Sequence, residues 1–331
     1  MSSTNRRVTL AQRPVGAVSA DCFAVDQVDI PEIGPGELLV EVQWLSVDPT
    51  IRGWMATDTY LPAIEIGAPI RSGGLGSVIA SNNESFPVGS TVFGMTGWQQ
   101  YAVLDGSGTQ VVPEGIEPQA ALSVFGVTGI TAYFGLLDVG EPKEGDTVLV
   151  SGAAGATGSV AGQIARIKGC RVVGIAGSAE RCAWLTDELG FDAAVNYRTD
   201  DVSAAIRAAC PDGVDVFFDN VGGDILEAGL ANLALRGRVV LCGAIATYND
   251  TELRPGPNNL TQLIVQRGRM EGFIVLDYMG RAGEAIGDLA TWVLGGELKY
   301  AVDVVDGLDH APDALDRLFT GANHGKVMVR L

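Results

Sequence analysis

The chain has 331 residues, enough for about two domains with a core each. With 47% hydrophobic and 19% charged residues it is an ordinary globular composition, and its net charge of −18 argues against a nucleic-acid partner and for solubility or salt adaptation. The polar start Met1–Arg7 leads into no long apolar run, and nothing approaches the ~18 apolar residues of a membrane span, so neither a signal peptide nor a span is expected.

From residue 8 to about 125 the pattern is one of short strands between turns. Glu37–Gln43 follows the turn Gly34-Pro35-Gly36. Gly76–Ala80, Thr91–Phe93, Tyr101–Leu104 and Gln110–Pro113 come next. Such punctuation predicts a small barrel or distorted sheet. Ala120 to Leu137 is rich in small residues and predicts one long helix.

Strand and helix signals then alternate. Strands are expected at Thr147–Ser151, Arg171–Ala176, Ala193–Asn196, Val214–Asp219 and Arg238–Cys242. Helices are expected at Ser159–Lys168, Ala179–Leu189, Val202–Cys210 and Ile225–Leu235. Apolar strands alternating with helices mean βαβ units and a parallel sheet covered on both faces. Helices at about 259–268 and 283–294 and a strand near 270–276 would complete six strands. The tail predicts a strand at Ala301–Val305, a helix at Pro312–Phe319 and a closing strand at Lys326–Leu331. Periodicity leaves open whether that strand returns to the first domain.

Between the strand ending at Ser151 and the next helix lies Gly152-Ala-Ala-Gly-Ala-Thr-Gly158. Ala153, Gly155 and Gly158 fill an A-x-G-x-x-G spacing. Small residues suit the tight turn, Gly155 admits a pyrophosphate to the backbone, and Gly158 lets helix and strand pack closely. The pyrophosphate would sit at the helix N-terminus, beside Ala156 and Thr157. The strand–turn–helix context turns a weak motif into a useful one. NAD-binding folds usually carry an acid at the tip of the second strand, about 20 residues on. Here the tip reads Ile175-Ala176-Gly177-Ser178. Gly177 leaves room for a 2′-phosphate, Ser178 can donate to it, and Arg181 can supply charge, so the cofactor is expected to be NADPH. Arg181 as a solvated first-turn residue, with Glu180 beside it, is the bland alternative.

The five cysteines are scattered, and the two histidines are His310 and His324. They read as reduced thiols of a cytoplasmic protein and assemble no zinc site. No Gly-x-Ser-x-Gly elbow points to acyl transfer.

With these features the whole chain resembles the medium-chain dehydrogenase/reductase superfamily. More narrowly it resembles the zinc-free leukotriene B4 dehydrogenase, prostaglandin reductase and 2-alkenal (curcumin) reductase group. The residues that carry this are Val47-Asp48-Pro49-Thr-Ile-Arg52-Gly53, Ser151–Gln163, Cys242-Gly-Ala-Ile-Ala-Thr-Tyr248-Asn249, Met270–Phe273 and Asn323-His-Gly-Lys326. The resemblance implies an α/β protein: a GroES-like β-rich domain at 1–125, to which 300–331 returns, and a doubly wound Rossmann domain at 126–299. It implies reduction of the C=C bond of an α,β-unsaturated ketone or aldehyde, with hydride from NADPH going to the β-carbon, and it implies a homodimer.

Carried over residue by residue, Tyr248 matches a tyrosine at the nicotinamide ribose and the substrate carbonyl, and Tyr60 a second tyrosine of the substrate pocket. Arg181 and Tyr197 match contacts to the 2′-phosphate. Asn220 and Cys242 join the cofactor contacts, Phe273 matches a backbone contact to the carboxamide, and Asn323 a nicotinamide-side residue. Arg181 stands where the group usually has Lys, and Thr50 and Ile51 stand where Tyr and Met are common. Tyr60 also reads as a plain loop aromatic, Tyr248 as a surface turn residue, and Arg52 as a structural ion-pair partner. A quinone reductase of the same superfamily is the nearest rival, and a non-catalytic NADPH-binding protein the rival from another class. The sequence does not name the physiological substrate.

Overall fold

The structure is a computed structural model and describes residues 4–252 and 254–331. Met1, Ser2 and Ser3 of the polar start lie outside the described residues. The chain divides into two compact units, one of Met1–Leu122 with Val302–Leu331 and one of Ser123–Ala301. These divisions fall a few residues from the expected 125/126 and 299/300.

The first unit opens with β1 (Thr4–Leu10) and β2 (Phe23–Asp29), an antiparallel pair. It continues through β3 (Leu38–Ser46), α1 (Thr50–Ala56), β4 (Gly74–Ser81), β5 (Thr91–Gly94), β6 (Tyr101–Leu104), β7 (Gln110–Val111) and α2 (Pro118–Leu122). The helix α1 begins within the Val47–Gly53 motif and runs on to Ala56, where no helix was expected. Its one turn or two were hidden because Pro49 precedes a stretch too short to show a 3.6-residue period.

The second unit opens with α3 (Val127–Phe134), so the single helix expected over Ala120–Leu137 is broken. The break is local chemistry. The Ser123 carbonyl accepts from the N–H groups of Gly126 and Gly129 and from the Thr128 hydroxyl. The backbone folds so tightly there that a Cβ on Gly129 would lie 1.9 Å from the Val124 carbonyl oxygen. A π-type turn over Gly135–Gly140 ends the segment.

Then come β8 (Thr147–Val150), α4 (Ala156–Ile167), β9 (Arg171–Ala176), α5 (Ala179–Ala183), β10 (Ala193–Asn196), α6 (Val202–Ala209), β11 (Val214–Asp219), α7 (Gly223–Ala231) and β12 (Leu233–Leu241). The helix expected over Ala179–Leu189 turns π-type from Trp184, and that expected over Ile225–Leu235 stops at Ala231. The chain enters β12 early because Leu233 already pairs with Val214, and a bulge follows at Arg236, whose φ is +62°. After α8 (Thr261–Gln266) and β13 (Arg269–Gly272), a 3₁₀ turn over Val275–Arg281 replaces the end of the strand expected near 270–276, and α9 (Ala282–Leu294) completes the unit.

The six strands are all parallel, in the order β10-β9-β8-β11-β12-β13. This is the doubly wound arrangement that the alternation predicts. The middle of the sheet is apolar because helices cover both faces: Leu149, Val173, Phe217 and Val239 are fully buried or nearly so, while the edge strand β13 is largely exposed.

The tail runs through β14 (Val302–Asp306), α10 (Ala311–Thr320) and β15 (Lys326–Arg330). Here β15 pairs parallel to β14 and antiparallel to β3, which completes a sheet in the order β14-β15-β3-β4-β5-β7. The core of this unit draws on both ends of the chain, with Leu45, Ile51 and Trp98 beside Ala314, Val327 and Val329.

Candidate functional site

The sheet of the second unit changes direction at β8. The chain moves outward to β9 on one side and later to β11 on the other. In open α/β sheets the crevice at the carboxyl ends of such strands is where ligands bind. Gly152 begins the turn after β8 with φ +57°, a left-handed conformation that costs glycine least. Gly155 is the N-cap of α4. The first helical bond runs from Ser159 N–H to the Gly155 carbonyl, so the N–H groups of Ala156, Thr157 and Gly158 lie ahead of the ladder. Ala153 is buried, with its N–H bonded to the Ile175 carbonyl. A Cβ on Gly158 would lie 2.4 Å from the Gly152 oxygen and 3.0 Å from the Ala153 Cα. The turn and the helix thus touch through bare backbone, and the cradle suits a pyrophosphate.

Beneath this turn sits a polar hub that sequence reasoning missed. Asp219, at the end of β11, is fully buried. Its carboxylate accepts from the Ser151 hydroxyl at 2.5 Å and from the N–H groups of Val221 and Gly222 at 3.0 Å each. The Ser151 oxygen in turn accepts from Asn220 N–H, and the Asn220 amide donates to the Ser151 carbonyl at 2.7 Å. Burial pushes the Asp219 carboxyl above the usual carboxylate range, and these hydrogen bonds pull it back. The signal in the sequence was an acid closing the apolar run Val216-Phe217-Phe218, which must find partners if buried.

The second strand tip carries the recess. Gly177 is buried, and a Cβ there would lie 2.8 Å from the Tyr197 ring. Tyr197, 45% exposed, follows β10 and bonds through its N–H to the Ala176 carbonyl. Ser178 caps α5 by accepting from Arg181 N–H at 3.2 Å, which leaves its own proton to donate. Gly177, Ser178, Arg181 and Tyr197 therefore gather at two adjacent strand ends. Arg198, which sequence reasoning also missed, holds its guanidinium 5.8 Å from the centre of the Tyr197 ring.

After β12 the backbone N–H groups of Cys242 and Gly243 donate to the Asp219 carbonyl. The loop then rests on its neighbour: Ala246 N–H donates to the Val221 carbonyl at 3.0 Å. The Tyr248 hydroxyl accepts from Ala244 N–H at 3.3 Å, which seats the ring against the start of its own loop. The Cys242 thiol is pushed up to about 12 by burial and by the charge of Asp219. Phe273 follows β13 and packs over Gly135, where a Cβ would meet its ring at 2.3 Å.

The remaining candidates lie in the first unit. Tyr60 is 45% exposed, with its hydroxyl 3.1 Å from that of Thr50 and its ring edge-on to Trp54 at 6.1 Å. Arg52 is buried and donates to the Gly16 carbonyl at 2.8 Å. Asn323 is buried and donates to the Gly325 carbonyl. Beside it the ammonium of fully buried Lys326 bonds the Val47 carbonyl at 2.9 Å and pairs with Asp48. That link joins two motifs that stand 278 residues apart in the chain. Among the described residues no group of three or more His, Cys, Asp or Glu side chains is placed to hold a metal ion.

Residues 6–112 match a family described as the N-terminal domain of oxidoreductase, and residues 156–290 one described as zinc-binding dehydrogenase. The chain is 40% identical over 336 residues to the NADPH-dependent curcumin reductase of Escherichia coli (strain K12), covering 99% of this chain and 97% of that one. The chain belongs to the medium-chain dehydrogenase/reductase superfamily. Within that superfamily it is also 39% identical over 335 residues to the NADP(+)-dependent 2-alkenal reductase of Nicotiana tabacum, covering 98% of this chain and 97% of that one. The crystal structure of CurA from Vibrio vulnificus in complex with NADPH superposes with a TM-score of 0.93 at 42% identity, covering 98% of each chain. For a superfamily member the two strand-tip clusters form a coherent set, with one backbone cradle for a pyrophosphate and one recess without a carboxylate at the tip of β9.

Proposed function

We propose that this chain is an NADPH-dependent reductase of the C=C bond of α,β-unsaturated ketones and aldehydes. The observation that carries the reading is the tip of β9, where Gly177 and Ser178 replace the acid that would bond a ribose 2′-hydroxyl. The similarity to curcumin and 2-alkenal reductases supports the substrate class.

Ala153, Gly155, Ala156, Thr157 and Gly158 receive the pyrophosphate on backbone. Gly177, Ser178, Arg181 and Tyr197 receive the 2′-phosphate, Arg181 by charge. Asn220, Cys242 and Phe273 receive the nicotinamide end on the second unit. When bound, NADPH supplies the hydride, which is delivered to the β-carbon. Tyr248 donates its phenol proton in a hydrogen bond to the carbonyl oxygen, on which negative charge grows as the enolate forms. Tyr60 assists on the substrate side. A proton from solvent then completes the product at the α-carbon. The working form is a cytoplasmic homodimer; an open edge at β13 and the exposed apolar residues Leu260, Ile264 and Val265 support the association.

The test is NADPH oxidation across a panel of enones, quinones and saturated ketones, with deuteride carried by the cofactor. Enones should be reduced best, with label on the β-carbon. Label on the carbonyl carbon would make the protein a carbonyl reductase, and preference for quinones would favour the rival reading. Tyr248→Phe should lower turnover by about 10²–10³-fold, the usual cost of one such donor, and NADPH affinity much less.

A further inference from the structure

We propose that Asp219 is a positioning residue for cofactor binding: its buried carboxylate holds the turn after β8 and the loop after β11 in the single arrangement that receives NADPH. The inference rests on the reading above.

The geometry makes the case. Asp219 touches no solvent, so it is not itself a ligand to cofactor or substrate. Its partners Ser151, Val221 and Gly222 are all donors toward it, a set that suits an ionised, acceptor-only carboxylate. Ser151 is the residue before the left-handed Gly152, so the hydroxyl bonded to Asp219 fixes where that turn begins. The same hydroxyl oxygen accepts from Asn220 N–H, and the Asn220 amide reaches back to the Ser151 carbonyl. The two loops are thereby locked to each other.

A third loop follows from the second. The carbonyls of Asn220 and Val221 accept from Ile245 and Ala246, and a Cβ on Gly243 would lie 3.2 Å from the Asn220 oxygen. The segment that ends in Tyr248 is therefore seated on the loop that Asp219 holds. A buried charge costs stability unless it is fully paired. If the carboxylate served folding alone, an apolar strand end would serve as well; its place at the meeting point of the three loops points to positioning instead.

The test compares affinity with stability in the full-length protein. Asp219→Asn keeps the size of the side chain and removes the charge, but turns an N–H₂ toward one of the donors. NADPH affinity of the folded variant, read by fluorescence titration, should fall about 10-fold or more, the scale of a lost charge-assisted hydrogen bond. Its kcat should fall as well; the thermal midpoint also falls because a buried donor is left unpaired, so the deciding readout is the affinity of the variant that is folded. Phe217→Leu, in the core of the same strand, is the control: it should lower the midpoint and leave the affinity of the folded protein unchanged. Ser151→Ala removes the bridging hydroxyl while the Asp219 carboxylate keeps its charge and its two backbone donors, and it decides the matter should Asp219→Asn not fold. It should weaken NADPH binding, and Ser151→Thr should restore it. Wild-type affinity in folded Asp219→Asn or in Ser151→Ala would overturn the proposal. Absence of NADPH binding by the unmodified protein would instead overturn the functional reading on which it rests.

Discussion

The strand tips of the second unit and the Tyr60 region of the first unit are built by opposite means. The turn after β8 is backbone with no slack: a carbon added to Gly158 would lie 2.4 Å from the Gly152 oxygen, whereas one on Gly177 would meet only the movable Tyr197 ring. Tyr60, by contrast, is held by one exposed hydroxyl pair with Thr50 and one edge contact with Trp54. A constant ligand such as a dinucleotide rewards a shape that is fixed in the main chain. A substrate class that varies in its tail is better served by side chains that can shift. The comparison teaches where substitutions should be costly and where they should be absorbed.

The largest effect is expected from Gly158→Ala. Its Cβ would meet the Gly152 oxygen and the Ala153 Cα, neither of which can step aside without moving the turn. Displacements of that order cost about 100-fold where geometry is critical, so NADPH titration should show a loss of about that size. Near-normal binding would show that the cradle has slack after all. Arg181→Ala should come next. Removing a charge-assisted contact costs roughly 1.5–3 kcal/mol, or about 10–100-fold in NADPH affinity, and NADH affinity should stay the same. Equal loss for both cofactors would mean that Arg181 supports the fold of α5 rather than the 2′-phosphate.

On the other side of the comparison, Thr50→Val should raise KM for an enone by less than about tenfold with kcat retained, since an exposed hydrogen bond contributes about 1 kcal/mol. A collapse of kcat would show the Tyr60 region to be as exacting as the strand tips. The smallest effect is none. The Cys242 thiol is pushed up to about 12, and those of Cys170 and Cys210 up to about 11, by burial first. Ionisation requires the pH to approach these values, so at pH 8 only about one thiol in a thousand or fewer is the reactive thiolate. Iodoacetamide at pH 8 should leave NADPH oxidation unchanged, even though Cys242 stands beside the cradle.

Much of this architecture was legible in the sequence, because the second unit writes it in local terms. β9, β10 and β11 begin and end where the apolar runs do, since strands buried on both faces leave no other pattern. Gly155 and Gly158 were legible for the same reason: their demands come from residues a few positions away. What escaped notice depends on distance or on competition. The expected helix at 120–137 is broken because the Ser123 carbonyl takes three donors at once, an outcome that helix propensity does not reveal. The Asp219 hub joins Ser151 to residues 68 and 69 positions away, and only the sheet order brings them together. Lys326 reads as the polar start of a strand, yet it is buried because Val47 and Asp48 supply its partners.

The strand β15 also has a consequence in time. It lies between β14 and β3, so the first unit's sheet cannot close until residues 326–330 have emerged from the ribosome. The second unit is built from neighbouring βαβ segments and can assemble while synthesis continues. Until β15 arrives, β3 keeps its pairing with β4 and β6 but leaves Trp44, Leu45 and Ser46 without a partner on one edge, and that short apolar edge is where a nascent chain is open to wrong pairing.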